Sequence, residues 1–266
     1  MKIIEQNLPI DLQSLISGKS YDLDNIGMSG SSILIFEDMV LKIQPEDDET
    51  RSEAVMMKWL EGRLPVPKVL YHTVENGVNY LLMSRMPGMM SCEESILENQ
   101  EMVTELLAEG LKKLWAVDIT DCPMRWDLPV KLAAAKRNVE NGEIDVDDVE
   151  PETFGEGGFK DPQELLEWLT NNQPPLEPVL SHGDFCLPNI FVKDGEVAGY
   201  IDLGKTGIAD KWQDIALCYR SLKHNYDGDY GSEKRTDFKE NLLFEKLGIE
   251  PDWEKIRYYI LMDELF

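Results

Sequence analysis

The segment SHGDFCLPNIF, residues 181–191, carries side chains whose types and spacing suit chemistry better than packing, since neither helix nor strand periodicity explains them. Asp184 follows a glycine and precedes Asn189 on the same short stretch, and Asp202 follows the apolar part of GYIDLG. A carboxylate at Asp184 can orient a hydroxyl group and accept its proton. The amide oxygen of Asn189 and the carboxylate of Asp202 are oxygen ligands of the kind that Mg²⁺ prefers. The order of these residues therefore indicates phosphoryl transfer, with one base and two metal ligands.

A strand lysine and a helix glutamate form a second group of candidate residues. Lys42 lies near the end of the apolar stretch MVLKI, and Glu53 lies in the amphipathic segment that follows. A lysine held by a glutamate in this way can reach the α- and β-phosphates of a nucleotide. The alternative interpretation, equally compatible with the pair alone, is a surface lysine on an edge strand.

The stretch GMSGSS, residues 27–32, separates two predicted strands and is a candidate phosphate-binding turn. Its glycines permit turns in which successive backbone N–H groups face an anion, and Ser29 adds a hydroxyl donor. The stretch has neither the G-x-G-x-x-G spacing nor a P-loop lysine. On its own it is more typical of a plain hairpin turn.

The histidines add little to this prediction. His182 precedes the glycine of the HGD motif, and we expect it to be a buried, hydrogen-bonded brace of the loop rather than a group that titrates in catalysis. His72 and His224 have no visible partner in the sequence. We assign them no role.

The charge of the chain is strongly negative. Asp and Glu number 51 against 26 Lys and Arg, which gives a formal net charge of −25 for 266 residues. This charge argues against nucleic acid and against an anionic membrane surface as partners. Most of the carboxylates are expected to be solvated surface groups, while a minority attracts a cationic ligand.

The cysteines are Cys92, Cys122, Cys186 and Cys218, and they form no C-x-x-C pair. Zinc binding and a disulfide scaffold are therefore not expected. The stretch MKIIEQNLPIDLQ has no sustained apolar run, and no segment approaches the ~20 apolar residues of a membrane span. We therefore expect a reduced, cytoplasmic protein.

The first third of the chain has a strand-rich pattern. ILIF and MVLKI are predicted to form a hairpin around the polar turn Glu37–Asp38. LPVPKVL reads as an extended connector because its prolines exclude helix, and VNYLLMS reads as a further strand. Between them, ETRSEAVMMKWLEG is predicted to be a helix whose apolar face carries Val55, Met56, Trp59 and Leu60.

The rest of the chain has a mainly helical pattern. An apolar stripe from Val103 to Val117 predicts one helix. Asp161 as N-cap, Pro162 at the first helical position and Glu164 closing a capping box predict the start of another. Between them, residues 141–158 are acidic and contain several glycines. We expect this insert to be a long exposed loop with at most one helical turn.

Several motifs together resemble the aminoglycoside 3′-phosphotransferases, specifically the enterococcal and staphylococcal type. They run through nearly the whole chain: WLEGRLPVPKVL, LLMS, FKDPQEL, SHGDFCLPNIFVKDG, IDLGKTGIADKWQDIA and PDWEKIRYYILMDELF. The resemblance implies an α+β, two-lobed protein-kinase-like fold with a small antiparallel β-sheet lobe and a larger, mainly helical lobe. It also implies transfer of the γ-phosphate of ATP, with Mg²⁺, to the 3′-hydroxyl group of kanamycin- or neomycin-type aminoglycosides, and hence antibiotic resistance.

The expected lobes divide the chain near the segment RMPG. Residues 1–86 are expected to form the nucleotide-binding lobe, with a hinge at about residues 84–88. Residues 87–266 are expected to hold the catalytic loop, the metal site and the aminoglycoside-binding region. The expected partners are a nucleotide and a polycationic aminoglycoside, and we expect a monomer or a weak dimer.

The resemblance implies a role for each matching position. Asp184 corresponds to the catalytic base, Asn189 and Asp202 to the Mg²⁺ ligands, and Lys42 with Glu53 to the phosphate-binding pair. The remaining implied nucleotide contacts are Ser29, Ser84 and Met86. The implied substrate-binding residues are Glu150, Glu152, Glu156, Lys205, Asp263, Glu264 and Phe266. Asp214 matches a position that supports the catalytic loop structurally.

Three features depart from the family pattern. Val40 stands where the enterococcal type stacks adenine on a tyrosine, so GTP is an open alternative to ATP. Lys205 replaces the arginine of IDLGR, which removes bidentate hydrogen bonding. The segment of residues 223–241 differs in length and composition, so the range of accepted antibiotics is open.

Two alternative functions are compatible with the motifs. One is a kinase of another small hydroxyl-bearing molecule, although choline would call for an aromatic cage and a macrolide for a larger apolar cleft. The other is a nucleotide-binding module without catalysis. That alternative predicts the loss of at least one of Lys42, Asp184, Asn189 and Asp202, and all four are present.

Overall fold

The computed structural model describes residues 8–24, 32–146, 149–235 and 238–266. Strands predominate in the first part of the chain and helices in the remainder, so the predicted α+β class is confirmed. None of the helices in these ranges is long and apolar enough to cross a membrane.

An antiparallel five-stranded sheet forms the N-terminal part of the fold. Its strands are β1 (Asp22–Asp24), β2 (Ser32–Ile35), β3 (Met39–Pro45), β4 (Val69–Glu75) and β5 (Val78–Ser84), preceded by helix α1 (Ile10–Ile16). The spatial order is β1-β2-β3-β5-β4, which makes β3 and β5 internal strands. The predicted hairpin is confirmed, since the N–H of Phe36 donates to the carbonyl of Met39 at 2.9 Å across the turn.

The alternation of side chains gives β5 two buried faces. Tyr80 and Leu82 belong to one apolar cluster, which includes α1. Leu81 and Met83 belong to a larger cluster that continues into the C-terminal part of the chain. Lys42 is the cross-strand partner of Leu81, and directly paired residues share a face of the sheet. Lys42 therefore points toward the larger cluster and the helix that lies there.

That helix is α2 (Asp48–Leu60), which begins with a capping box between Asp47 and Thr50. Its buried side includes Glu53, Met56, Met57 and Leu60, a spacing of three, four and seven positions. Glu53 thus occupies a core-facing position of an amphipathic helix. The prediction that Val55 lies on the apolar face is wrong: Val55 is 45% exposed because the helical pitch turns it away from this stripe.

The C-terminal part is built mainly from helices. They are α3 (Glu94–Leu97), α4 (Gln100–Trp115), α5 (Leu128–Asn141), α6 (Pro162–Asn171), α7 (Lys211–Asp227), α8 (Leu242–Leu247) and α9 (Trp253–Asp263). One small sheet contains β6 (Met89–Met90), β8 (Ile190–Lys193) and β9 (Glu196–Tyr200), and another contains β7 (Pro178–Ser181) and β10 (Gly207–Asp210). Helix α7 contacts both β7 and α9, so it connects the loop after β7 with the carboxyl-terminal end of the chain.

The start of α6 and the acidic insert differ from their predictions in detail. Asp161 caps α6 by accepting from the N–H of Glu164 at 2.9 Å, as predicted. The Glu164 carboxylate accepts from the N–H of Lys160 at 2.6 Å, so the expected capping box closes one residue earlier. In the described part of the insert, Thr153 is buried and Phe154 packs against the core, so this segment is less exposed than predicted.

Candidate active site

A buried carboxylate fixes the backbone of the loop after β7. Asp214, on α7, is fully buried and accepts from the N–H of His182 at 2.8 Å and of Gly183 at 3.0 Å. It also accepts from the hydroxyl group of Ser181 at 2.9 Å. Burial raises the pKa of Asp214, and the charge interaction with His182 and these hydrogen bonds oppose that rise. The loop backbone is thus held by an acceptor that is itself surrounded by protein.

Gly183 permits a close approach of two backbone segments. Its φ of +88° lies in the left-handed region, and a Cβ atom at this position would lie 2.0 Å from the backbone oxygen of Lys205. The hydroxyl group of Thr206 donates to the carbonyl of His182 at 2.9 Å. The HGD segment is therefore packed directly against the residues that follow Asp202.

Asp184 stands at the head of this loop with both carboxylate oxygens oriented. Asn189 Nδ2 donates to Oδ2 of Asp184 at 2.9 Å and to its carbonyl at 3.0 Å. The thiol of Cys186 donates to Oδ1 at 3.0 Å. Asp184 is partly exposed. The carboxylate is thus held in place by its own loop while one side stays accessible from outside.

Lys42 lies between Glu53, its predicted partner, and Asp202, a predicted metal ligand. Its Nζ lies 2.7 Å from Glu53 Oε1 and 2.9 Å from Asp202 Oδ1. Burial disfavours its charge, but Glu53 and Asp202 outweigh this effect and raise the pKa of Lys42. Lys42 lowers the pKa of Asp202 in turn. The interpretation of Lys42 as a surface residue on an edge strand is wrong, because β3 is internal and Lys42 is only 8% exposed.

His182 is fully buried, as predicted, but its ring is held by packing rather than by strong hydrogen bonds. The ring centroid lies 6.0 Å from that of Phe185 and 6.4 Å from that of Tyr200. Its Nδ1 is 3.4 Å from the N–H of Asp184, and within the described residues its Nε2 has no hydrogen-bond partner. His182 therefore supports the loop through its backbone and its packing.

Asn189 and Asp202 could together hold a magnesium ion. The carbonyl of Asn189 accepts from the N–H of Ile201 at 3.0 Å, which brings Asn189 next to Asp202. Asn189 donates from Nδ2, which leaves its Oδ1 as the potential ligand. No group of three or more His, Cys, Asp or Glu residues in the described ranges could hold a metal alone. Mg²⁺ commonly takes one or two protein oxygens and completes its shell with water and phosphate, so two ligands suit it.

The residues expected to contact the nucleotide base lie where the chain leaves the sheet. Ser84 ends β5, and its hydroxyl oxygen accepts from the N–H of Lys68 at 2.9 Å. The side chain of Met86 packs over Gly199 of β9, where a Cβ atom would lie 2.1 Å from Met86 Cε. Val40 is partly buried on β3, as the cross-strand partner of Met83. Ser29 lies outside the described residues.

A cavity of about 620 Å³ brings together part of the predicted substrate-binding set. Carboxylates line it from three segments of the chain, and Phe266 contributes an apolar wall. Its acidic residues are Glu143, Asp145, Glu150, Asp229, Asp263 and Glu264. Such a lining concentrates and orients cationic ligands.

Arg220 is the cation that holds the carboxyl-terminal carboxylates of this acidic cavity. It forms ion pairs with Asp263 and, at 3.3 Å, with Glu264 Oε1. Burial raises the pKa of Glu264 to about 7, and Arg220 opposes the rise. Burial also acts to raise the pKa of Asp263, but the charges of Arg220 and of neighbouring lysines outweigh this effect and lower the pKa. Glu264 Oε2 also accepts from the N–H of Glu150 at 3.1 Å, which ties the insert to the end of the chain.

The remaining predicted substrate-binding residues line other cavities. Glu152 and Glu156 line a cavity of about 550 Å³ together with Glu150, Trp253 and Arg257. Lys205 and Phe266 line a third cavity, of about 340 Å³. Lys205 Nζ lies 4.0 Å from Glu49 Oε2 and 5.7 Å from the centre of the Phe266 ring. The predicted set is therefore distributed over neighbouring cavities, which Glu150 and Phe266 connect.

Comparison with known proteins agrees with this geometry. The sequence profile of the phosphotransferase enzyme family matches residues 29–259. An aminoglycoside 3′-phosphotransferase from Enterococcus faecalis is 42% identical over 96% of this chain and 97% of its own length. Another from Staphylococcus aureus is 45% identical over 82% of this chain and 80% of its own length. The chain belongs to the aminoglycoside 3′-phosphotransferase family. It is therefore an enzyme, and the resemblance deduced from its motifs is confirmed.

Solved structures confirm the expected fold of this aminoglycoside 3′-phosphotransferase. The crystal structure of an aminoglycoside 3′-phosphotransferase of type VIII has a TM-score of 0.81 at 27% identity and covers 96% of this chain and 97% of its own. The aminoglycoside phosphotransferase APH(3″)-Id from Streptomyces rimosus, solved with ADP and streptomycin, has a TM-score of 0.78 at 24% identity. That match covers 97% of this chain and 99% of the other. The fold is thus the two-lobed, kinase-like fold of these phosphotransferases.

Two residues of this family member were not recognised from its sequence. Arg220 was assigned no role, although it holds Asp263 and Glu264. His224 was judged to lack a partner, and this is wrong, because it contacts Glu150 and Asp229. Both residues lie on the side of α7 that lines the acidic cavity, four positions apart, and that helical spacing was the available signal.

Proposed function

We propose that this enzyme transfers the γ-phosphoryl group of ATP to the 3′-hydroxyl group of an aminoglycoside of the kanamycin or neomycin type and so confers resistance. The observation that carries this proposal is the oriented carboxylate of Asp184. It shares its short loop with Asn189, next to the ion pair of Lys42 with Asp202. This arrangement suits a base, a metal and a phosphate group that meet at one point.

Asp184 is proposed to act on the attacking hydroxyl group. Its carboxylate accepts the hydroxyl proton while the hydroxyl oxygen forms a bond to the γ-phosphorus atom. The bond between that phosphorus atom and the bridging oxygen breaks, and ADP leaves with the electron pair. In a loose transition state the main contribution of Asp184 is orientation, with proton acceptance early or late.

Lys42, held by Glu53, is proposed to bind the α- and β-phosphates of the nucleotide. Ser84 and Met86 are proposed to present backbone groups to the adenine edge, and Ser29 is proposed to contact the phosphates. GTP is a possible second donor. Asn189 and Asp202 would hold Mg²⁺, which neutralises charge on the phosphate oxygens when it is bound.

The carboxylates of the acidic cavity are proposed to bind the ammonium groups of the aminoglycoside. Glu150, Asp263 and Glu264 surround the cavity together with Phe266, and Glu152 and Glu156 extend the acidic lining over the neighbouring cavity. The proposed role of Lys205 is to fix the end of the chain through Phe266. A hydrogen bond to a charged group contributes ~1.5–3 kcal/mol, so a few such contacts provide useful affinity.

The decisive experiment measures coupled ADP release with kanamycin, neamine and amikacin. We expect turnover by the wild type and a loss of ~10²–10⁴-fold in kcat for Asp184→Asn. Asp194→Asn, at the exposed turn between β8 and β9, is the matched control and should retain full activity. Binding of ATP without turnover of any of the three antibiotics would refute the substrate assignment.

We further infer that the enzyme works in the cytoplasm, where ATP is available, as a monomer or weak dimer. All four cysteines of the chain are unpaired, in keeping with a reducing compartment. Light scattering after gel filtration in the presence of a reductant tests the oligomeric state. A stable dimer under those conditions, at any protein concentration, would contradict this inference.

A further inference from the structure

His224 lies in the wall of the acidic cavity between carboxylates from two other segments. Its Nε2 lies 2.6 Å from Glu150 Oε1, in the insert, and its Nδ1 lies 2.7 Å from Asp229 Oδ2, in the loop after α7. The imidazole side chain is only 16% exposed, and the ring of Tyr230 covers it with a centroid distance of 5.1 Å. Both contacts are short, and the contact with Glu150 is the more shielded of the two because Asp229 is 56% exposed.

The two contacts define the protonation state of His224. An ionised carboxylate only accepts hydrogen bonds, so each ring nitrogen must carry a hydrogen, which is the case only in the imidazolium form. The pKa directions agree with this geometry. The hydrogen bond to Glu150 raises the pKa of His224 against the effect of burial, and the same bond lowers the pKa of Glu150.

We propose that His224 is a specificity-determining residue of the substrate cavity. Its imidazolium ring forms hydrogen bonds to Glu150 and Asp229, and the ammonium groups of a polycationic substrate bind these carboxylates by displacing the ring. This inference rests on the proposed function, because it concerns how the aminoglycoside competes for the same carboxylates. His224 thus occupies the position of a substrate ammonium group. The residue sets how strongly the insert and the loop after α7 attract the ligand.

Other charged residues line the two cavities that His224 borders, and they include Glu143, Asp145, Glu152, Glu156 and Arg257. Arg220 and Lys223 lie on its own helix and line the cavity of about 550 Å³ with it. Asp263 and Glu264 face it across the cavity of about 620 Å³ from the end of the chain. Of these groups, Glu264 also titrates near neutrality, since burial raises its pKa to about 7. A test must therefore separate His224 from Glu264 and from the amines of the substrate.

The sign of the pH effect follows from the number of hydrogens on the ring. Below its raised pKa, His224 donates to both carboxylates. As pH rises through that pKa, the neutral imidazole keeps one hydrogen and releases one carboxylate. Substrate affinity controlled by His224 therefore increases with pH.

The experiment measures KM and kcat for neamine with the wild type and His224→Gln between pH 6.5 and 8.5 at low salt. We expect the KM of the variant to be about two- to fivefold lower than that of the wild type at pH 6.5. The ratio of the two KM values should approach one at pH 8.5, and kcat should be unchanged. Titration of Glu264 and of neamine is common to both proteins and cancels in this ratio. His72→Gln is the matched control, because His72 pairs with Asn79 at 2.7 Å in the N-terminal sheet. It should leave the KM of neamine unchanged.

Two results would overturn the inference. One is a KM ratio of one at every pH. The other is a KM for His224→Gln that is raised by the same factor at every pH, which would make His224 a structural brace only. An NMR titration of the His224 ring gives a readout besides activity, since neamine should lower its pKa by displacing it from the carboxylates. If the wild type shows no turnover, the proposed function fails, while the titration still shows whether a polycation displaces the imidazolium.

Discussion

The proposed catalytic site and the acidic cavity both present carboxylates, but they hold them in different ways. At the proposed catalytic site, Asp214 on α7 accepts from backbone N–H groups of the loop after β7. In the cavity, charged side chains hold one another: Glu150 pairs with His224 across 74 positions of sequence, and Glu264 pairs with Arg220 across 44. A backbone N–H keeps its hydrogen throughout the usual pH range, whereas the contacts between charged side chains depend on the protonation of each partner. Substitutions in the proposed catalytic site should change kcat, and those in the acidic cavity should change KM.

After Asp184→Asn, the largest effect on kcat is expected for Asp202→Asn. Asparagine keeps the volume of the side chain but removes the charge that pairs with Lys42 at 2.9 Å and that is proposed to bind Mg²⁺. We expect kcat to fall by ~10²–10³-fold with little change in the KM of the aminoglycoside. Steady-state kinetics with kanamycin measures both constants.

Asp229→Asn in the acidic cavity is the counterpart of that variant. It removes the same charge by the same substitution, from the partner of His224. We expect its kcat to be close to that of the wild type. If Asp202→Asn and Asp229→Asn lowered kcat to the same extent, the distinction between the proposed catalytic site and the acidic cavity would be wrong.

A second large effect is expected for Gly183→Ala, on stability. The added methyl group would combine a φ of +88° with a Cβ atom 2.0 Å from the backbone oxygen of Lys205. We expect a loss of ~3 kcal/mol in the free energy of unfolding, measured by urea denaturation.

Gly195→Ala measures backbone strain without a steric clash of the kind expected for Gly183→Ala. Gly195 has a φ of +78°, but an added Cβ atom would meet nothing within 4 Å. We expect a loss of ~1 kcal/mol from strain alone. Equal losses of unfolding free energy for the two variants would show that the clash with Lys205 does not contribute to the destabilisation.

The parts of the structure that could be predicted from sequence are those that local rules determine. The turn at Glu37–Asp38 and the cap at Asp161 depend on neighbouring residues only. The positions of Asp184 and Asn189 follow from one short motif. Glu53 could also have been placed in the core, because it shares a helical stripe with buried apolar residues. The error at Val55 came from adding it to a stripe whose members Met56 and Leu60 are buried as predicted.

The acidic cavity could not be predicted in the same way, because its contacts join distant segments. Arg220 pairs with Glu264 across 44 positions, and His224 pairs with Glu150 across 74. No local spacing indicates which of the many carboxylates these cations will contact. The packing of α7 against α9 decides it, together with the path of the insert. The resemblance placed Asp263 and Glu264 at the substrate but gave no partner for either.

A smaller effect, with a defined pH dependence, is expected for Glu264→Gln. Glu264 has a pKa of about 7 in the folded protein, against an ordinary value of 4.5, because burial disfavours its charge. The folded state therefore binds more protons than the unfolded state between these values, and stability falls as pH rises through this window. Glutamine avoids this loss and keeps an oxygen for the N–H of Glu150.

We expect Glu264→Gln to match the wild type near pH 5 and to be more stable by ~1–2 kcal/mol above pH 7. Thermal unfolding between pH 5 and 8 measures the difference. The KM of the aminoglycoside should rise, since the cavity loses a carboxylate. A variant that is less stable than the wild type above pH 7 would show that the pair with Arg220 outweighs the burial of Glu264.

The smallest effect is expected for Cys186→Ser in the loop. The Cys186 thiol donates to Asp184 Oδ1 at 3.0 Å, and a hydroxyl group is a stronger donor than a thiol. A stronger bond stabilises the Asp184 carboxylate and makes it a weaker base, so kcat should fall by about two- to fivefold. The KM of the aminoglycoside should not change, because Cys186 does not line the acidic cavity. Cys92→Ser, on a partly exposed cysteine outside the HGD loop, is the control. A change in KM at constant kcat would contradict the assignment, since it would place the Cys186 thiol among the groups that hold the substrate rather than those that hold the base.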